Sequence, residues 1–265
     1  MIEIDWANLD RAYAEQPSSI TVGVFDGLHT GHRGLIEQVT SSEWMPVVVT
    51  FQRHPTELLL HDDIPGFIMS LSQKRHALMD LGVAVTVLID FDEAFRSLPG
   101  EQFLNRLGEA FLIRRFVVGH DFRCGFQLDT DIKAIRRFLA GRDVEVVALD
   151  PIRSQRDLVS SSRIRDLIVS GDLLQAARLL GRAYTLDVTE EEIDHDGDRA
   201  YIVKNGRGLL PESRQLLPPA GRYRAVVGSD GTEREVELDI GANSLNWPLV
   251  AGETIRYIVL QTTVN

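Results

Sequence analysis

The sequence has one cysteine, Cys124, so it can form neither a disulfide within the chain nor a four-cysteine zinc site. It has no run near the roughly 18 apolar residues of a membrane span. It opens Met-Ile-Glu-Ile-Asp-Trp, without the basic and then apolar start of a secretory signal. The expectation is a cytoplasmic protein with no membrane partner. Positive charge is scarce as well: 28 Lys and Arg stand against 39 Asp and Glu, a net charge of -11. Such a chain carries no overall electrostatic footprint for nucleic acid or anionic lipid. An anionic small molecule would need a local positive site built from helix ends, His and Arg. Core material is not lacking. The 265 residues are 44% hydrophobic and 25% charged, close to the globular average. The length allows one large domain, or a medium one with a small one attached.

Apolar runs and amphipathic stretches alternate from Ile20 onward. Residues 20–25, 46–51, 83–89, 116–119 and 144–149 read as buried strands. Residues 33–39, 72–81, 100–111, 131–139, 162–169 and 172–180 have helical spacing, with Ser72 as a cap. Residues 1–17 carry no strong pattern and are expected to hold at most a short helix. Continuous apolar strands alternating with helices imply an α/β fold, with a parallel sheet covered on both faces. After Tyr184 the helical spacing disappears. Short strands at 201–203, 223–227, 236–240 and 255–260, separated by Gly and Pro turns, imply a small antiparallel β-barrel-like domain. The expected division is 1–184 and 185–265. With a core of its own, the first part is expected to keep its site when 186–265 is removed.

Ligands of parallel sheets bind beyond the carboxyl ends of the strands, so those loops carry the functional reading. The first is Gly23-Val24-Phe25-Asp26-Gly27-Leu28-His29-Thr30-Gly31-His32. It places two histidines where a helix should start. Free backbone N–H groups and the positive dipole end make that position an anion site. Imidazoles there can donate to phosphate oxygens, more strongly when protonated. Gly31 lets a phosphate approach the backbone, and Gly27 permits the tight turn. Ser160-Ser161-Ser162-Arg163-Ile164-Arg165 follows the fifth strand. Its hydroxyls suit capping, and Arg165, one turn in, suits a polyphosphate. Gly119-His120-Asp121-Phe122-Arg123-Cys124-Gly125 and Thr50-Phe51-Gln52-Arg53-His54-Pro55 close two further strands and could hold a flat partner. A metal cluster of His29, His32 and His54 is disfavoured, because no Glu lies within the His pair as it does in zinc-protease helices. Two loops for a polyphosphate and two for a ring fit nucleotidyl transfer. That chemistry needs in-line positioning and charge stabilisation at phosphorus, with Mg²⁺ expected on the phosphates and few protein ligands.

These segments resemble a known family. Phe25 to His32 looks like the His-x-Gly-His signature of nucleotidyltransferases in the form seen in bacterial FAD synthetases. Val159 to Arg165 resembles the Ile-Ser-Ser-Thr-x-x-Arg motif. Thr50 to Pro55 resembles Thr-Phe-x-Pro-His-Pro, with Arg53 as a departure. Gly119 to Gly125 resembles Gly-Glu-Asp-Phe-x-Phe-Gly, with His120 and Cys124 as departures, and Thr130 stands where the family usually has Gly. Gly171 to Tyr184 resembles the run joining the family's two modules. The resemblance implies a Rossmann-like nucleotidyltransferase domain that transfers AMP from ATP to FMN, giving FAD and pyrophosphate. It implies that His29 and His32 contact the ATP phosphates and that Ser161, Ser162 and Arg165 hold them from the other side. Gly23, Phe25, Asp26 and Gly31 would line the adenine nucleotide. His54, Pro55, Asp121 and Phe122 would lie near the flavin. The family's bifunctional members continue into a riboflavin kinase barrel with Gly-x-Pro-Thr-Ala-Asn near its start. Here that stretch reads Asn205-Gly-Arg-Gly-Leu-Leu-Pro211, which implies a shortened barrel without kinase activity. A nucleotidyltransferase for another phosphate acceptor and a non-catalytic flavin or nucleotide sensor are the alternatives.

Overall fold

A computed structural model describes residues 1–11, 13–55, 66–154, 157–204, 209–229, 231–250 and 252–263. The chain divides into two compact units. The first comprises residues 1–25, 31–64 and 75–152; the second comprises 26–30, 65–74 and 153–265. This division of the chain falls at 152/153, not at the 184/185 expected from the pattern, and two short upstream segments count with the second unit.

The first unit is built on a six-stranded sheet with every strand parallel to its neighbours. Its strands are β1 (Ile2–Asp5), β2 (Tyr13–Val22), β3 (Met45–Phe51), β4 (Val85–Ile89), β5 (Phe111–Gly119) and β6 (Glu145–Leu149), in the order β1-β4-β3-β2-β5-β6. Helices α1 (Thr30–Thr40), α2 (Leu71–Asp80), α3 (Glu93–Arg96), α4 (Gly100–Ala110) and α5 (Ile132–Leu139) follow the alternation. Strand period two puts Ile20, Val22, Val47, Val49, Val85, Val87, Phe116 and Val118 in one core with Phe103, Leu104 and Leu107 of α4. The other strand face is closed too, since Val48, Val117, Thr21 and Thr86 are fully buried or nearly so. The order reverses at β2, with β3 on one side and β5 on the other, which is where such sheets bind ligands.

Several elements differ from expectation. The start of the chain holds an unexpected strand ahead of a single helical turn at Trp6–Asn8: β1 pairs with β4 in register from Ile2↔Val85 to Asp5↔Leu88. It is a four-residue strand at the sheet edge, too short for a clear period. Strand β5 begins at Phe111, directly after α4, five residues before the apolar run at 116. The cap of α2 is Ser70, not Ser72. Its Oγ accepts the Gln73 N–H at 3.0 Å while Gln73 Oε1 accepts the Ser70 N–H at 3.1 Å, a reciprocal capping pair.

The second unit joins α6 (Ser161–Ser170) and α7 (Leu173–Leu180) to a seven-stranded antiparallel sheet. The sheet consists of β7 (Tyr184–Asp187), β8 (Asp194–Asp196), β9 (Arg199–Val203), β10 (Gly221–Ser229), β11 (Thr232–Ile240), β12 (Ser244–Pro248) and β13 (Tyr257–Thr263). Their order is β7-β13-β10-β11-β12-β9-β8. Strands β7, β8 and β12 went unread in the sequence, because each is short and interrupted by polar residues. One core runs from the helices into the sheet: Ile164, Leu167 and Ile168 of α6, Leu173, Ala176 and Leu179 of α7, then Tyr184, Tyr223, Leu238 and Trp247. The turn read at 206–208, and with it residues 205–208 of the kinase-like stretch, lies outside the described residues.

Candidate active site

Strand β2 ends at Val22, and the chain then turns sharply. At Gly23 a Cβ would stand 2.9 Å from the Phe25 ring, so only glycine lets that ring fold against the backbone. Phe25 (φ 53) and Leu28 (φ 40) take left-handed backbone, as does Gly27 (φ 80). Such strain costs of order 1–3 kcal/mol per non-glycine residue and is offset here by burial, since Phe25 and Leu28 are both closed from solvent. At Gly27 a Cβ would meet Ile68 Cγ2 at 2.8 Å. Helix α1 then starts at Thr30, three residues earlier than its spacing suggested, which puts Gly31 and His32 in its first turn and His29 just before it. The Phe25 ring meets His32 edge-on, with centroids 5.2 Å apart.

Asp26 is the hub of the second unit's upper part. Its carboxylate accepts Arg165 Nη2 at 2.7 Å, the Ile68 N–H at 3.1 Å and the Met69 N–H at 3.3 Å. Its carbonyl accepts Ser161 Oγ at 2.9 Å. Burial pushes the Asp26 carboxyl above its ordinary range, while Arg165, Lys74 and the two N–H groups pull the other way. Asp26, expected to line the adenine nucleotide, is buried within the loop and ties α6 and the stretch before α2 to it. Arg165 projects from the first turns of α6, whose N-cap is Ser160, with its Oγ accepting the Arg163 N–H at 3.2 Å. Ser162 is exposed in the first turn of α6.

His29 is buried, and desolvation first, then the charge of Arg182, lowers its pKa to about 4 against an opposing backbone hydrogen bond. It is therefore a neutral imidazole at physiological pH, which still carries one N–H donor. Thr30 Oγ1 donates to the Leu179 carbonyl at 3.2 Å.

In the first unit the carboxyl ends of β2, β3 and β4 open on a cavity of about 560 Å³. Gly23, Phe51, Pro55, Phe91, Phe95, Phe103, Phe122, Cys124 and Phe126 are among its lining residues. The aromatic wall is a chain of close contacts: Phe51–Phe91 at 5.8 Å, Phe91–Phe95 at 5.9 Å and Phe95–Phe103 at 6.0 Å between centroids. Trp6 backs it, stacked on Phe103 at 5.2 Å. One rim is the turn at 125–128. There Gln127 (φ 53) and Leu128 (φ 59) are left-handed, and at Gly125 (φ 84) a Cβ would lie 2.3 Å from the Gly100 nitrogen. Of the four residues expected near a flavin, Pro55 and Phe122 line the cavity, whereas His54 and Asp121 do not. Of the departures from the family pattern, Cys124 alone lines it; Arg53 turns outward to Asp90 at 2.9 Å. Burial and the Asp129 charge push the Cys124 thiol up to about 12, so it lines the wall as an inert group.

Among the described residues no group of three or more His, Cys, Asp or Glu could hold a metal, and no helix is long and apolar enough to cross a membrane. Sequence reasoning missed Lys74, Arg182 and the Phe91, Phe95 and Phe103 wall. Only the cluster of aromatics between residues 91 and 103 gave any signal of these.

A sequence model of FAD synthetase matches residues 12–163. The chain belongs to the FAD synthetase family, and so to the nucleotidyltransferase enzymes. This FAD synthetase relative is 27% identical over 250 residues to the bifunctional riboflavin kinase/FMN adenylyltransferase of Escherichia coli (strain K12), covering 92% of this chain and 78% of that one. It is 29% identical over 233 residues to the protein of the same name from Bacillus subtilis (strain 168), covering 86% and 73%. Its fold matches a crystal structure titled macrolide-efflux protein from Streptococcus pneumoniae, with a TM-score of 0.82 and 20% identity, over 100% of this chain and 91% of that one. The small β module is thus part of a fold that recurs in a chain of similar size. The family match ends at residue 163, so Arg165 and Arg182 lie beyond it.

Proposed function

We propose that this FAD synthetase transfers the AMP of ATP to FMN, giving FAD and pyrophosphate. The observation that carries the reading is the Asp26 hub, which gathers Ser161 and Arg165 at the segment bearing His29. A phosphate oxygen of FMN attacks the α-phosphorus of ATP, the bond from that phosphorus to the bridging oxygen breaks, and pyrophosphate leaves with the electron pair. His29 and His32 donate to the phosphate oxygens as charge develops. Ser161, Ser162 and Arg165 hold the polyphosphate, and the α1 N-terminus at Gly31 adds its N–H groups. The aromatic cavity takes the isoalloxazine ring, with Phe122 and Pro55 in contact. Mg²⁺ belongs to the reading as counter-ion of the ATP phosphates.

The chemistry belongs to residues 1–184, and residues 185–265 serve as a β module that supports α6 and α7. Riboflavin kinase activity is absent, because residues 205–211 lack the Pro-Thr of the kinase motif. Incubation with FMN, ATP and Mg²⁺, followed by chromatography, is expected to show FAD. None at micromolar enzyme over hours overturns the reading. With riboflavin in place of FMN no FMN is expected, and its formation would show a working kinase.

A further inference from the structure

The cavity at the carboxyl ends of β2, β3 and β4 is walled by rings and aliphatic chains. Besides Cys124, three polar side chains stand among its described lining residues: Arg96, Arg123 and Gln127. The two arginines can only donate hydrogen bonds, and Arg96 is already engaged with Glu93 at 2.8 Å. Gln127 is the one residue of the three with a side-chain oxygen, and its amide nitrogen offers donors beside that acceptor. It belongs to the turn at 125–128, where Gln127 (φ 53) and Leu128 (φ 59) are both left-handed. At Phe25 and Leu28 such strain is offset by burial. Here Gln127 is exposed, and so are its neighbours Phe126 at 42% and Leu128 at 57%. Backbone strain kept at an exposed site, with no burial to offset it, points to function.

The turn is held at both ends. The Phe126 N–H donates to the Leu98 carbonyl at 2.9 Å, the Leu128 N–H to the Gly125 carbonyl at 3.0 Å and the Asp129 N–H to the Phe126 carbonyl at 3.2 Å. The Asp129 carboxylate accepts the Gly100 N–H at 3.1 Å and the Thr130 hydroxyl at 2.8 Å. Thr130, which stands where the family usually has Gly, therefore helps to pin this turn to the start of α4. The Gln127 amide takes no part in these bonds and has no hydrogen-bond partner among the described residues.

We propose that Gln127 is a specificity-determining residue for the flavin: its amide pairs with the pyrimidinedione edge of the isoalloxazine ring, the carbonyl accepting N3–H and the NH₂ donating to an adjoining ring carbonyl. The proposal rests on the reading of the cavity as the flavin site. That edge presents acceptor, donor and acceptor in a row. A primary amide matches two neighbouring groups of it in one plane, as glutamine matches the edge of adenine. An arginine cannot take the N3 proton. Phe126 and Leu128 flank Gln127 in the turn, and a flat ring entering at this rim takes their apolar surface from water.

The test uses the full chain as wild type and as Gln127→Gly, a change that the left-handed backbone accepts without strain. Two flavins are compared: FMN, and 3-methyl-FMN, in which a methyl group replaces the N3 proton. Binding is read from quenching of flavin fluorescence, and kcat/KM from the adenylylated product formed with ATP and Mg²⁺. Wild type is expected to prefer FMN by about tenfold or more, the scale of one lost hydrogen bond that leaves its acceptor unpaired. Gln127→Gly is expected to bind FMN about tenfold more weakly, with KM for ATP little changed, and to treat the two flavins alike within about threefold. Equal use of the two flavins by wild type overturns the proposal. So does a Gln127→Gly protein that keeps the wild-type preference, whatever its affinity for FMN. If wild type neither binds nor adenylylates FMN, the flavin reading of the cavity falls and the proposal falls with it. If wild type does both, the comparison of the two flavins decides the role of Gln127 alone.

Discussion

The Arg165 guanidinium donates to the Asp26 carboxylate at 2.7 Å, with the two side chains only 13% and 5% exposed. Both belong to motifs that the sequence marks for nucleotide binding, yet here they bind each other. The pair connects the loop before α1 to the first turns of α6.

Removing the hub is expected to be severe. Asp26→Ala removes the carboxylate that Arg165 meets at 2.7 Å in a buried site, and loss of one partner of a buried ion pair costs about 3–5 kcal/mol. Urea unfolding measures this directly. A loss under about 1 kcal/mol would show that solvent reaches the pair and replaces Asp26.

The buried His29 makes stability depend on acid. Its pKa is lowered from 6.5 to about 4 in the folded protein. Between those values the unfolded chain takes up a proton that the folded one refuses. Stability therefore falls as pH drops from 6.5 toward 4, by about 3 kcal/mol in full for this group. His29→Gln should flatten that slope relative to wild type in unfolding curves at pH 7, 5.5 and 4.5. Parallel slopes in the two proteins would place the imidazole in contact with water.

Turnover should report the two imidazoles separately from folding. His29→Ala or His32→Ala is expected to lower kcat by about 10²–10³, the scale for one transition-state donor. An unchanged kcat in a folded variant would remove that histidine from the mechanism.

Truncation tests what the β module does. The sequence pattern implies a first domain with its own core that keeps its site when 186–265 is deleted. The structure shows Ile164, Leu167, Leu173, Ala176 and Leu179 buried in one core with Leu186, Tyr223 and Trp247. Deletion of 186–265 strips that core from α6 and α7, which carry Ser161, Ser162 and Arg165. The truncated chain is expected to lose ATP binding and to unfold cooperatively below 40 °C by circular dichroism. A stable truncation that still binds ATP would show that the two helices hold without the sheet.

The sequence by itself determined the alternation of β2 to β6 with the longer helices of the first unit and the loops that bear chemistry. Buried parallel strands need unbroken apolar runs, and helix starts need capping hydroxyls and small residues, and these are local demands that leave local marks. It also determined the histidines, because their spacing around Gly31 is itself the motif. It could not show that Asp26 is buried within the loop, that His29 is buried neutral, or that Arg165 meets the Asp26 carboxylate. Those facts join residues 26, 68–69 and 161–165, which are far apart in the chain, and desolvation of a charge is a property of what surrounds it. The Phe51, Phe91, Phe95 and Phe103 wall is the same case: each ring reads as an ordinary core residue until the ends of β3 and β4 and the start of α4 bring the four together around a cavity. The end of the first compact unit was decided by tertiary packing as well, because the pattern changes at Tyr184 while the buried surface of α6 and α7 belongs to the sheet that comes after it.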